Sequence, residues 1–201
     1  MESILTDNVL LQFAQLSYEN DVQTREWNRV AVDEGGKTQA FVHPKIPDLA
    51  VVTFRGTSDF MDIVLDIQTL MGVDFSGRFQ RSLNFAFDIA SRYKYVIFVG
   101  HSLGSLIAGV CQWQLFKQGK AAYAWMVNAY VPPSIPADML TYNKNIKVFL
   151  NLMDPVSRLT YYDAQFRAGT PDAHWVIRSA SLAELIQHDP QRWINQGAAG
   201  P

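Results

Sequence analysis

The sequence GHSLG at residues 100–104 lies between an apolar run at residues 95–99 and a helix-like run at residues 106–116. A G-x-S-x-G sequence between a strand and a helix is typical of a nucleophile elbow, a sharp turn with the serine at its tip. A serine hydroxyl is a poor nucleophile at neutral pH, and such a turn presents it to a base on one side and to a substrate on the other. The stretch therefore predicts an α/β fold in which Ser102 is the reactive residue.

Two glycines frame this predicted turn. We expect Gly100 and Gly104 to lie where a Cβ atom would collide with the neighbouring strand and helix backbones. The helix that begins behind Ser102 adds a dipole that favours developing negative charge at its N-terminus. The geometry of the turn and its chemistry therefore require the same residue types.

Composition limits the class of protein. The chain has 201 residues, of which 48% are hydrophobic and 18% charged, and this predicts one globular domain over residues 1–201. A formal net charge of -2, with no dense run of Lys and Arg, argues against nucleic acid or an anionic membrane surface as a partner. Cys111 is the single cysteine, so no intrachain disulfide forms, and its place after the turn indicates a small buried hydrophobe.

The N-terminal sequence MESILTD has early acids and no basic segment before a long apolar run. We therefore expect no secretory signal and a reducing, cytoplasmic location; a secreted mature form that has lost its signal is the alternative. No uninterrupted apolar run approaches the roughly 20 residues needed to span a bilayer. The sequence thus predicts no transmembrane segment.

Strand-like and helix-like runs alternate along the chain. We expect strands at residues 29–32, 39–42, 49–54, 95–99, 121–127, 146–151 and 174–177, and helices at 9–16, 60–70, 83–89, 106–116 and 182–187. Two adjacent glycines separate the first two strands, as in a hairpin, and the continuous apolar run at 49–54 fits a strand buried on both faces. The alternation predicts an α/β fold with a mostly parallel central sheet flanked by helices.

A serine at such an elbow requires an acid and then a histidine later in the chain, in that order. Asp154 follows the predicted strand at residues 146–151 and lies in a loop at its carboxyl end, where ligand sites of open α/β sheets gather. The rival acids are Asp138, Asp163 and Asp172, which fit turn or surface positions. Asp154 is therefore the predicted acid.

Two histidines follow that acid, His174 and His188, whereas His43 and His101 precede it. His174 opens a strand-like run and is expected to point along the sheet. His188 ends a short helix in the sequence QHDP, a broken, loop-like site suited to reaching across a cleft. We favour His188 as the base and keep His174 as the alternative.

Three motifs in order resemble one family. FRGT at residues 54–57 ends an apolar strand, GHSLG follows about forty-five residues later, and a DPV loop comes after it. This arrangement resembles the class 3 lipases, the fungal-lipase-like branch of the α/β-hydrolases, over residues 9–193. The sequence departs from that family at Ser105, where a glycine is usual.

The resemblance implies a role for each matching residue. Ser102 is implied to be the nucleophile, Asp154 the acid that orients the imidazole, and His188 the general base and acid. Thr57 matches the position whose backbone N–H and hydroxyl serve the oxyanion hole, and the backbone N–H of Leu103 is the second implied donor. These donors matter because charge builds on the carbonyl oxygen in the transition state.

The resemblance also implies that Asp66 steadies the hydroxyl of Thr57 and that residues 58–70 form or support a lid. Other interpretations fit the same residues: Thr57 as a helix N-cap, Asp66 as a solvated helix residue, and the segment as a core-facing helix. These alternatives remain open on the sequence alone.

The prediction is a serine hydrolase that cleaves carboxylic esters through an acyl-enzyme on Ser102, with no metal or organic cofactor. A pocket wall rich in Phe, Met and Leu favours lipid esters, such as an acylglycerol, a phospholipid or a short-chain ester, and a lipid interface as a place of binding. Hydrolysis of amides or thioesters is a second interpretation. A catalytically inactive lipase-like binding or scaffold protein is the alternative from another class.

Overall fold

Seven strands and three helices form within residues 4–19, 26–56, 76–129, 139, 144–151 and 174–178, the part of the chain that this computed structural model describes. The strands are β1 (Asn28–Val32), β2 (Thr38–His43), β3 (Ile46–Phe54), β4 (Tyr95–His101), β5 (Ala122–Val127), β6 (Ile146–Asn151) and β7 (His174–Arg178). The helices are α1 (Asp7–Leu16), α2 (Ser76–Arg92) and α3 (Leu103–Lys117).

The strands form a single sheet in chain order, from β1 to β7. β1, β2 and β3 are antiparallel neighbours, whereas each pair from β3 to β7 is parallel. Parallel neighbours need crossover connections, and α2 and α3 lie in the first two of these. The predicted mostly parallel sheet flanked by helices is therefore confirmed.

Both faces of the sheet are covered by helices. Val51 and Ile97 pack with the apolar face of α1, whereas Val52 and Phe98 belong to the cluster formed with α2 and α3. Successive residues of a strand point to opposite faces, so a strand buried on both sides is apolar without interruption. The run at residues 49–54 is such a strand, as its sequence predicts.

Polar side chains fix the helices to the sheet. Asp7, at the start of α1, accepts a hydrogen bond of 3.0 Å from Nε1 of Trp125 and forms an ion pair with Lys147. On the other face, the buried Gln112 of α3 donates to the carbonyl oxygen of Ala122 over 3.0 Å. Each of these bonds satisfies a polar group in a partly or fully buried position.

Two helices begin at least three residues earlier than the sequence pattern indicates. α2 begins at Ser76 rather than near residue 83, and α3 begins at Leu103 rather than at residue 106. Their first turns contain glycine and serine, which are weak helix formers and give no apolar period.

No helix in the described part of the chain is long and apolar enough to cross a membrane. The helices predicted at residues 60–70 and 182–187 lie outside that part.

Candidate active site

The parallel strands end at one edge of the sheet, which we call the carboxyl edge; their beginnings form the amino edge. At the carboxyl edge Phe54 lies beside Gly100, and His101 lies beside Val127. Ser102 follows directly, and its backbone N–H donates to the carbonyl oxygen of Val127 over 2.9 Å. Ligands of open α/β sheets bind at this edge, so Ser102 lies where a reaction site is expected.

Ser102 has a strained backbone. Its φ of 55° and ψ of -124° are followed at once by the first residue of α3, Leu103. A non-glycine residue in such a conformation costs about 1–3 kcal/mol, which the surrounding packing must offset. Ser102 is also 1% exposed. The strand-to-helix turn predicted at residues 100–104 is therefore present, with the serine at its tip.

Three glycines allow the chain to pack this closely. An ideal Cβ atom on Gly100 would lie 2.1 Å from the carbonyl oxygen of Gly104, and one on Gly104 would lie 2.1 Å from that of Phe54. An ideal Cβ on Gly56 would lie 2.5 Å from the carbonyl oxygen of His101. Contacts this short with backbone atoms cannot be relieved by rotating a side chain. The end of β3, the end of β4 and the start of α3 thus pack backbone against backbone.

A tyrosine that the sequence does not single out contacts this turn. The hydroxyl of Tyr18, just beyond α1, lies 2.7 Å from Nδ1 of the buried His101. The guanidinium carbon of Arg55 lies 5.1 Å from the centroid of the Tyr18 ring. The hydrogen bond fixes the imidazole of the residue before Ser102. No sequence signal marks this pair, because 83 positions separate the two residues.

The first turn of α3 presents hydrogen-bond donors at the serine. The first N–H groups of a helix, here beginning with Leu103, have no partner within the helix, and the helix dipole is positive there. Ser105 is fully buried, and both its backbone N–H (2.9 Å) and its hydroxyl donate to the carbonyl oxygen of Ser102. Ser105 thus fits at a position where the family that this sequence resembles usually has glycine. The N–H groups and the dipole at the start of α3 can stabilise an anion.

The other predicted site residues, Thr57, Asp66, Asp154 and His188, lie outside the described residues. Their roles stay predictions. Among the described residues, no three His, Cys, Asp or Glu side chains are grouped so that they could hold a metal ion.

The strands that lead to two of those residues are described. Asn151 at the end of β6 lies beside Arg178 at the end of β7. The chain therefore leaves both strands at the carboxyl edge, the edge at which Ser102 lies. Asp154 comes three residues after the first of these strand ends, and His188 ten residues after the second.

His174 lies at the other edge of the sheet. It begins β7 beside Lys147, which pairs with Trp125, which in turn pairs with Val99 of β4. His174 is thus three strands away from β4 and three residues before the level of Ser102. With about 4.8 Å between strands and about 3.3 Å per residue, the two Cα atoms are roughly 17 Å apart.

Cys111 is buried within α3, and burial raises the pKa of its thiol. The thiolate is the reactive form, so a thiol in such surroundings is inert. The expectation of a small buried hydrophobe is confirmed, and Ser102 has no nearby thiol competitor at the described carboxyl edge.

No family model matches the sequence, and no curated protein matches it. Solved structures do match. A mutant form of MDLA from Penicillium cyclopium matches with a TM-score of 0.57 at 18% identity, over 87% of this chain and 80% of that one. A mono- and diacylglycerol lipase from Aspergillus oryzae matches with a TM-score of 0.53 at 20% identity, over 80% and 76%. The chain has a lipase-like α/β-hydrolase fold.

An esterase from Pyrobaculum calidifontis matches the same α/β-hydrolase fold with a TM-score of 0.50 at 14% identity, over 94% of this chain and 87% of that one. Identities this low establish the fold alone. The resemblance to fungal lipases that the three motifs indicate is thus confirmed as a likeness of fold. The chemistry must be argued from the site.

Proposed function

We propose that this protein is a serine hydrolase that cleaves carboxylic esters, with Ser102 as the nucleophile. The observation that carries the proposal is the strained turn between β4 and α3, with φ of 55° at Ser102. Glycine would adopt this conformation without strain, whereas a serine there lowers the stability of the fold. The hydroxyl group of Ser102 is the reason we offer for a serine at this position. The adjacent helix N-terminus supplies donors for the negative charge that acyl transfer develops.

We assign the acid to Asp154 and the base to His188. These assignments are supported by the path of the chain, which leaves β6 and β7 at the carboxyl edge. These two strands lie two and three strands away from β4. A general base must come within about 2.6–3.2 Å of the hydroxyl that it deprotonates. The backbone of His174 is roughly 17 Å from that of Ser102, beyond the combined reach of the two side chains.

The proposed reaction begins when His188 takes the hydroxyl proton of Ser102 as its Oγ attacks the ester carbonyl carbon. The tetrahedral oxyanion accepts hydrogen bonds from the backbone N–H of Leu103 and from the N–H and hydroxyl of Thr57, which Asp66 holds in place. Loss of one such donor typically costs about 3–4 kcal/mol. The intermediate collapses, the alcohol leaves with the proton from His188, and a water deprotonated by that residue hydrolyses the acyl-enzyme.

The proposed substrates are lipid esters with an apolar acyl group, such as an acylglycerol, a phospholipid or a short-chain ester. Their support is the Phe, Met and Leu content of residues 60–70, close in sequence to the oxyanion motif. Two of the structures with this fold are a mono- and diacylglycerol lipase and an esterase by name. The reaction as written uses protein side chains, backbone and water.

Hydrolysis of p-nitrophenyl butyrate by the wild type and by Ser102→Ala tests the proposal. We expect kcat/KM to fall at least about 10⁴-fold, because nucleophile removal leaves only binding and the oxyanion donors. Ser91→Ala is the matched control, since Ser91 is exposed on α2, where its hydroxyl donates to the carbonyl oxygen of Asp88. Undiminished turnover by Ser102→Ala would contradict the mechanism. No turnover by folded wild type would favour the inactive binding protein.

A further inference from the structure

Four cationic residues from separate parts of the sequence lie near one another beside the carboxyl edge. The backbone N–H of Arg55 donates to the carbonyl oxygen of Lys37 over 2.8 Å, and a guanidinium nitrogen of Arg78 donates to the carbonyl oxygen of Arg55. An ideal Cβ on Gly77 would lie 3.5 Å from Nη1 of Arg81, so this guanidinium turns back towards the start of α2. We call Lys37, Arg55, Arg78 and Arg81 the cationic cluster.

Three cations and one acid act on the charge of Lys37. The charge of Arg78 lowers the pKa of Lys37, and burial and Arg55 act in the same direction. Asp33 opposes them, and its carboxylate already accepts the backbone N–H groups of Lys37 (2.8 Å) and Thr38 (3.1 Å). Like charges held together repel one another, and a bound anion would relieve that repulsion.

The cluster begins next to the turn that holds Ser102. Arg55 directly follows β3, and an ideal Cβ on Gly104 would lie 2.9 Å from its carbonyl carbon. Its guanidinium packs over the ring of Tyr18, whose hydroxyl is hydrogen-bonded to His101. The cluster therefore adjoins the turn at which the ester carbonyl of a substrate would lie.

We propose that the cationic cluster binds a phosphate group of the substrate, so that the preferred ester is an acylated glycerol phosphate. Three arginines and a lysine suit a phosphate, because guanidinium forks bind its several acceptor oxygens in pairs. The whole chain carries a net charge of -2, so this concentration of positive charge is local. The inference rests on the proposed ester hydrolysis, and it selects the phospholipid class among the substrates considered.

The test compares two monomeric substrates, dihexanoylphosphatidic acid and dihexanoylglycerol, which differ in the phosphate. The cluster variant is Lys37→Gln with Arg81→Gln, since both side chains are exposed. The matched control is Lys94→Gln with Lys117→Gln, an equal change of net charge at exposed lysines near the amino edge.

We expect the ratio of kcat/KM for the phosphate ester to that for the neutral ester to fall about five- to ten-fold in the cluster variant, as for two partly exposed charge pairs. The control should keep the wild-type ratio. Added salt should lower the wild-type ratio, because screening weakens exposed charges. An unchanged ratio in the cluster variant, or an equal fall in the control, would overturn the inference while turnover of the neutral ester keeps the proposed function.

Two further arms identify the source of the phosphate. Inorganic phosphate that binds the wild type but not the cluster variant, with no preference for the phosphate ester, would make free phosphate the ligand and overturn the inference. Cluster-dependent activation on phosphatidylglycerol vesicles, again without that preference, would make a charged lipid surface the partner and overturn it too.

If neither of these two esters is hydrolysed, calorimetric binding of dihexanoylphosphatidic acid tests the cluster separately. If p-nitrophenyl butyrate is not hydrolysed either, the proposed function is wrong. Binding that the cluster variant loses and the control retains would support phosphate recognition. Equal binding by all three proteins would overturn it.

Discussion

The two edges of the sheet are built differently, although the same strands form both. At the amino edge a cavity of about 500 Å³ is lined mainly by apolar side chains, among them Leu49, Tyr95 and Trp125 at or near the starts of β3, β4 and β5. At the carboxyl edge the same strands end in tightly packed glycines, a strained serine and a group of cations. β4 alone runs from Tyr95 at the first edge to His101 at the second.

This difference shows that the chain keeps destabilising features at one edge of the sheet and not at the other. Apolar lining at the amino edge follows from burial, and a cavity of that size alone suggests a ligand. It lies roughly 20 Å from Ser102, however, at the opposite end of a seven-residue strand. Strain and repulsion at the carboxyl edge cost stability, and proteins keep such features at functional sites. The following predictions test this contrast between the edges.

The largest expected effect separates two histidines. His188→Ala should lower kcat/KM for p-nitrophenyl butyrate by about 10³-fold or more, because loss of the general base leaves the nucleophile unactivated. His174→Ala, at the amino edge, should stay within a few-fold of the wild type. Steady-state kinetics of both purified variants decide the matter. A dead His174→Ala beside an active His188→Ala would reverse the assignment.

A pair of glycine substitutions compares the packing of the two edges. Gly104→Ala should lower the free energy of unfolding by about 3 kcal/mol or more, or prevent folding, because its Cβ would meet the carbonyl oxygen of Phe54. Gly119, between α3 and β5, has a φ of 74° and nothing within 4 Å of an ideal Cβ. Gly119→Ala should cost only about 1–2 kcal/mol. Urea unfolding that gives equal losses would refute the contrast.

The strain at the serine predicts a stabilising substitution. Ser102→Gly should raise the free energy of unfolding by about 1 kcal/mol relative to Ser102→Ala, because glycine adopts the backbone conformation freely and alanine keeps the Cβ. Both variants lack the hydroxyl, so the comparison isolates the backbone. Denaturant unfolding of the pair measures the difference. A glycine variant less stable than the alanine variant would mean that the turn is unstrained.

The smallest effect concerns repulsion in the cationic cluster. Lys37→Gln should raise Tm by about 1 °C at low salt, because Arg78 lies near the lysine and lowers its pKa. The folded state holds this proton less tightly than the unfolded chain does. The gain should therefore shrink as pH rises through the lowered pKa of Lys37, and it should be lost above the ordinary value of 10.5. It should also vanish in 1 M salt, and a lower Tm in the variant would show that Lys37 is favourably paired.

Residues adjacent in sequence made part of this site predictable. Gly100, Ser102 and Gly104 belong to one short stretch, and a strand and a helix on either side determine the geometry of its turn. The FRGT motif marks the end of an apolar strand, and its Phe54 pairs with Gly100. The short motifs and the apolar runs beside them therefore predicted the turn at Ser102 and the strand next to it.

Contacts between distant residues were not predictable in the same way. The net charge and the absence of a basic run argued against anionic partners, yet Lys37, Arg55 and Arg78 come together only after β2, β3 and α2 pack. The bond from Tyr18 to His101 depends likewise on how α1 lies on the sheet. The periodicity of apolar residues describes one helix or strand at a time, and it carries no information on contacts between residues that are distant in sequence.

The measurement that most directly tests Ser102 as an activated nucleophile is labelling by a fluorophosphonate, followed by mass spectrometry of the peptides. The account predicts a single modified residue, Ser102, in the folded wild type and none in Ser102→Ala. Cys111 is buried and should stay unmodified in both proteins. Folded wild type that takes up no label, or takes it up at another residue, would contradict the account.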